Sequence, residues 1–378
     1  MNEPSDGLEP NARQPFNWKN YSWVLLLILV LAGIWLRNTQ RGFESYDMLY
    51  DFIPWAREIR ANDGLYGLAT LKSDYPPSFL FILALLTYLP GSIMAKIKVV
   101  SLVYELLTML ITYLYVKQLY PKPRQKHLPF LAAGLYFFLP TVILNGAVWG
   151  QVDSIYTFFV VSTLYWLSRE KYNLTYIAYG IALASKLQAI FLLPFLGMHY
   201  LKRKKYSFVY IFWVPAIYVI IGIPAMILGR SPADVFMVYF EQMGEYPRTV
   251  FNFGNIYNFL PDNYELLAIP GILFTLFLLF LGLYFILKDR SLKLTKFNIP
   301  DFAMLSIMIC ASFLPGMHER YMYAAVVISV LYLFAHPRQF YIPLLLWLIE
   351  PNAYIPVLWE AAPILDYRLS ALLLILLI

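Results

Sequence analysis

The chain has 378 residues, of which 60% are hydrophobic and only 14% charged, against about 45–50% and about 25% in ordinary globular domains. Mean hydropathy is +0.60, and apolar runs such as Tyr21 to Leu36, Tyr206 to Leu228 and Ile269 to Leu287 approach the roughly 17–25 residues that cross a hydrocarbon core as helix. A soluble enzyme, a disordered chain, a disulfide scaffold and a membrane barrel are therefore excluded: the runs do not alternate, and Cys310 alone forms no internal disulfide or cysteine metal site. The net charge of +6 reads as membrane orientation, with the bilayer and not nucleic acid as its partner.

In chain order, residues 1–20 are expected to be a cytoplasmic tail before an uncleaved signal anchor, since no small-residue cleavage site follows Ala32-Gly33-Ile34-Trp35. Residues 37–96 form a first external loop with juxtamembrane helices. Segments 117–127, 202–205 and 288–296 are rich in Lys and Arg and are placed inside, whereas 146–153, 229–265 and 316–320 are placed outside. Parity then requires one of the runs between 78 and 144 not to cross. The shortest, Ser78 to Leu89, spans about 18 Å and is assigned to an external or re-entrant helix; Lys96 and Lys98 then fall outside, against the charge rule. Later spans follow at 154–168, 174–186, 187–201, 206–228, 266–287, 301–316, 319–335 and 340–357, with a last run from 368. The expected fold is all-α, a single integral membrane domain over 1–378 with about eleven or twelve spans.

Several external residues suit chemistry. Asp47 lies near the membrane surface just after the first span, where a carboxylate can act as general base toward a hydroxyl; a solvated loop acid or helix cap is the ordinary alternative. Asp74-Tyr75-Pro76-Pro77 opens an apolar helix. Trp149, Gln151 and Asp153 sit where a span emerges beside two glycines, Asp153 also being placed to cap the next helix. Lys186 lies in the apolar stretch 181–195, where a charge costs about 2.5–3.5 kcal/mol, with snorkelling as the bland alternative. His318-Glu319-Arg320 gathers an imidazole, an acid and a guanidinium at the external boundary. With Lys186, His318 and Arg320 form a basic set suited to phosphate. The rival functional classes are a transferase, a transporter or flippase for lipid-linked sugars, and a scaffold.

Ser45-x-Asp47-x-x-x-x-Phe52-x-Pro54-Trp55, Asp74-Tyr75-Pro76-Pro77, Trp149-Gly150-Gln151-Val152-Asp153-Ser154, Lys186 and His318-Glu319-Arg320-Tyr321 together resemble, in order, the landmarks of GT-C membrane glycosyltransferases. They are most similar to bacterial proteins related to the second mannosyltransferase of glycosylphosphatidylinositol assembly. The resemblance implies inverting transfer of a monosaccharide, mannose by family analogy, from a polyprenyl-phosphate donor to a hydroxyl of a glycan or lipid acceptor at the external face. Asp47 would be the general base and Lys186, His318 and Arg320 the donor-phosphate site. Asp51, Trp55, Asp74, Tyr75, Trp149, Gln151, Asp153 and Glu319 would bind substrate. The resemblance further implies a multi-pass protein of the bacterial plasma membrane, a location also favoured by the absence of a retrieval signal at the Leu373 to Ile378 end. No cofactor is expected: the Asp-x-Asp form is absent and Asp47 and Asp51 are spaced i, i+4, which leaves a divalent metal unsupported.

Overall fold

The computed structural model describes residues 21–245 and 247–378; the cytoplasmic tail expected over 1–20 lies outside the described residues. The described residues fold as helices joined by loops, in the order α1 (Ser22–Thr39), α2 (Ile53–Ala61), α3 (Pro77–Thr87), α4 (Ile93–Leu119), α5 (Leu128–Phe137), α6 (Pro140–Ile143), α7 (Asp153–Ser168), α8 (Tyr172–Ser185), α9 (Leu193–Arg203), α10 (Trp213–Ile227), α11 (Pro232–Phe236), α12 (Val238–Glu245), α13 (Tyr264–Lys288), α14 (Ile299–Phe313), α15 (Tyr323–Ala335), α16 (Tyr341–Trp359) and α17 (Tyr367–Leu377). Among the described residues, five helical segments are long and apolar enough to cross a membrane: α1, α4, the stretch Phe208–Ile227 that contains α10, α13 and α16. A sixth is Pro123–Phe137 with Pro140–Trp149, bent by 50° at Pro140, whose ring removes a helix hydrogen bond. The other apolar runs fold as helices of 11 to 16 residues.

One large apolar core joins α4, α5, α7, α8, α14, α15 and α16. The flanking helix α13 is apolar on all sides yet mostly uncovered, with Ile269, Leu273, Phe277 and Phe280 exposed. Such a surface is stable only against lipid. The run from Ser78 is α3, an 11-residue helix that packs with Met48, Phe52, Ile59, Ile97 and Val152 in a second, smaller core. The loop between α1 and α4 is thus a folded helical cap.

The basic segments meet at one end of the bundle. Tyr115 donates to the Lys296 carbonyl (2.8 Å), Tyr120 to that of Phe334 (2.5 Å), Lys202 to that of Ile286 (2.6 Å) and Arg203 to that of Leu294 (2.8 Å). The loops carrying the landmark residues meet at the other end. Lys96 and Lys98 lie there too, and they bond backbone carbonyls: Lys96 donates to those of Leu86 and Leu89 (2.6 and 2.8 Å), Lys98 to those of Gln40 and Phe43 just after α1 (2.9 and 2.8 Å). Their charges close helix and loop ends, which accounts for the departure from the charge pattern.

Arg37, assigned by sequence to the polar loop, is instead in the last turn of α1 and buried. It pairs with Glu105 of α4 at 2.5 Å and donates to the carbonyl of Phe137 at 2.8 Å. The pair fixes the end of α1, and hence the start of the loop that carries Asp47.

Candidate active site

Two π-helical turns build the centre of the site, Met48–Phe52 and Leu144–Trp149; such widened turns recur at functional sites. Asp47 immediately precedes the first. Ser45 ties the two together: its hydroxyl donates to the Trp149 carbonyl (2.6 Å) and accepts from the Met48 amide (3.3 Å). Gly150 closes the second turn with φ of +80°, and a Cβ there would stand 2.5 Å from Met48 Cε, so only glycine fits comfortably. This left-handed step carries the chain on to Gln151, which is fully buried.

Gln151 is held from both sides. Tyr75 Oη donates to its Oε1 at 2.9 Å, which fixes the amide so that Nε2 donates to Asp47 Oδ2. Arg320 Nη1 approaches the same Oδ2 at 3.7 Å. Both contacts fall on Oδ2, so Oδ1 is the oxygen left for a hydroxyl. The Asp47 side chain is 19% exposed and that of Arg320 17%.

Lys186 ends α8, where the backbone turns extended (φ −161°, ψ 138°) before the 3-10 turn Leu187–Leu192. The break brings its ammonium to the site, where it pairs with Asp153 and lies 5.8 Å from the centre of the Tyr75 ring. Asp153 does not cap α7 as its position suggested. One oxygen accepts from Lys186 and the other from Asn145 Nδ2 at 2.8 Å, because the ammonium is the stronger partner for a buried carboxylate.

Arg320 lies over the Trp149 ring (5.0 Å), and its Nε is 3.4 Å from Glu319. Its Nε and Nη1 are buried without a hydrogen-bond partner at bonding distance among the described residues. His318 stacks on Phe251 with ring centres 4.3 Å apart and nearly coplanar rings, held where Phe251 N bonds the Met317 carbonyl at 2.8 Å. Burial, then the nearby Arg320 and Lys186 charges, push the imidazole down to about 3. It is neutral at physiological pH, and so has hydrogen-bonding capacity without a positive charge. Burial also raises the Asp74 and Glu319 carboxyls, with Arg320 opposing in both cases.

The structure thus gathers Asp47, Tyr75, Trp149, Gln151, Asp153, Lys186, Glu319 and Arg320 through direct contacts, with His318 beside Glu319 (3.9 Å). Trp55 belongs to an aromatic wall, 5.5 Å from Tyr75 and 5.7 Å from Phe52. Asp51 is on the π turn after Asp47 and partly exposed. Among the described residues no three His, Cys, Asp or Glu side chains are grouped to hold a metal ion. Phe251, which seats His318, was missed in the sequence, where nothing local marks it.

A family model, glycosyltransferase family 87, matches residues 74–337, well over half of the chain. The chain belongs to glycosyltransferase family 87. No curated protein matches it. Membership of family 87 decides between transferase and transporter, and the matched region holds every landmark from Asp74 onward, but none of those between Ser45 and Trp55.

Proposed function

We propose that this membrane glycosyltransferase moves a monosaccharide from a polyprenyl-phosphate donor to an acceptor hydroxyl at the external face, with inversion. The carrying observation is that Asp47, with Oδ1 uncommitted among the described residues, shares one partly exposed cluster with two cations, Arg320 at 3.7 Å and Lys186 beyond Tyr75. In the reaction, Asp47 takes the proton of the acceptor hydroxyl as that oxygen attacks C1 of the sugar. The bond from C1 to the phosphate oxygen breaks, and the lipid phosphate leaves with the electron pair. Arg320, whose Nε and Nη1 make only longer ion-pair contacts, and Lys186 steady that charge. Neutral His318 adds a hydrogen bond. Arg320 already faces Asp47 and Glu319, and Lys186 already pairs with Asp153, so the phosphate meets cations whose charge is partly offset before it arrives. Mannose as the sugar follows the landmark resemblance.

The test is a donor panel given to purified protein. Sugars on polyprenyl phosphate should be consumed and nucleotide sugars left intact; consumption of a nucleotide sugar alone would refute the donor class.

A further inference from the structure

Asp74 lines a hollow of about 750 Å³ between residues 69–74 of the first loop and Arg230, Asp234, Glu241 and Gln242. Its volume falls within the roughly 300–1,000 Å³ of ligand sites. The walls are joined where Gln242 Nε2 donates to the Asp74 carbonyl. They approach again at Gly229, where a Cβ would stand 3.3 Å from that of Ala69.

The lining limits what fits. Arg230 is only 7% exposed, and its Nη1 is buried without a hydrogen-bond partner among the described residues. Leaving such a donor unsatisfied costs about 1–3 kcal/mol or more, so a ligand acceptor is the natural occupant. Three carboxylates, Asp74, Asp234 and Glu241, share the lining with Arg230 and Lys72. Each carboxylate accepts hydrogen bonds from hydroxyls, which a fully ionised phosphate cannot donate. Each sugar hydroxyl both donates and accepts, and so satisfies both kinds of wall at once. A lipid tail fits poorly among so many polar side chains.

We infer that this hollow seats the carbohydrate of the acceptor, a neutral polyhydroxyl chain, with Asp74 where it meets the Asp47 site. The inference rests on the transferase reading and supplies its acceptor side.

Binding can be read without catalysis. In a Cys310→Ser background, Ser73→Cys places a thiol on the rim; maleimide labelling is timed with a panel of neutral hexose trisaccharides and with inorganic phosphate. At least one trisaccharide should slow labelling several-fold, phosphate should not, and Arg230→Met should abolish the protection; Gln242→Leu carries the same expectation if Arg230→Met does not fold. Labelling unaffected by every trisaccharide, stronger protection by phosphate, or protection that survives both substitutions would overturn the assignment. Donor consumption by the unsubstituted protein is measured alongside. Failed protection with donor still consumed removes only the acceptor site, whereas protection without donor use strikes the transferase reading alone.

Discussion

Gln151 presents its carbonyl oxygen to Tyr75 and its amide nitrogen to Asp47, so a residue that never needs to touch substrate sets which carboxylate oxygen faces the hollow. Gln151→Leu keeps much of the volume and removes both bonds. Losing that alignment should lower kcat on the order of 10²-fold with donor KM little changed; a rise in donor KM at unchanged kcat would instead make Gln151 a donor contact. His318 gives a second residue-scale test. Its imidazole ordinarily titrates at 6.5 and is pushed to about 3 in the fold, so between those values the unfolded chain binds the extra proton. Stability therefore falls as pH drops from about 6.5 toward about 3. In His318→Asn, melting temperature should decline less steeply over that range; an undiminished slope would contradict a buried neutral ring. The residue types at both positions were legible in the sequence, but their roles were not. Gln151 reads there as a substrate contact and His318 as part of a basic phosphate site, and neither the stack on Phe251 nor the bond to Tyr75 is visible, because both come from segments far along the chain.

At the scale of elements, the site hangs on helix ends. Asp47 follows α1, Gln151 the π turn ahead of α7, Lys186 the end of α8, and Arg320 the loop between α14 and α15. What fixes the first of these is the Arg37–Glu105 pair, at 4% and 1% side-chain exposure. Removing one partner of such a pair costs about 3–5 kcal/mol, while replacing both with apolar groups can be neutral. Arg37→Leu should thus lower the melting temperature sharply, and Arg37→Leu with Glu105→Leu should restore most of it; a double variant as unstable as the single would show that α1 is held by other contacts. Sequence hydropathy placed the long helices well, since α4, α10, α13 and α16 answer to near-continuous apolar runs. It misplaced Arg37, because a charge at the end of an apolar run reads as its boundary unless the facing Glu105 is known. The break at Lys186 was legible only as a charge in an apolar stretch; the extended backbone and the 3-10 turn after it depend on packing against α14.

Across the whole molecule, charge segregation in the sequence sorted the loops into two sets, and the fold brings each set to its own end of the bundle. The two lysines that broke the pattern, Lys96 and Lys98, close backbone carbonyls at the end opposite the basic loops. The convergence of residues more than two hundred positions apart on one hollow is the product of that sorting. Side-chain partners such as Ser45 with Trp149 followed only from helix crossings that no local pattern encodes. Whether the hollow is where chemistry happens turns on Asp47. The direct measurement is transfer of sugar from polyprenyl phosphate by purified Asp47→Asn, which retains the shape and a hydrogen bond toward Gln151 but loses the basic oxygen. Transfer should fall by about 10²–10⁴-fold in protein that melts like the unsubstituted enzyme; transfer at an undiminished rate would contradict the account.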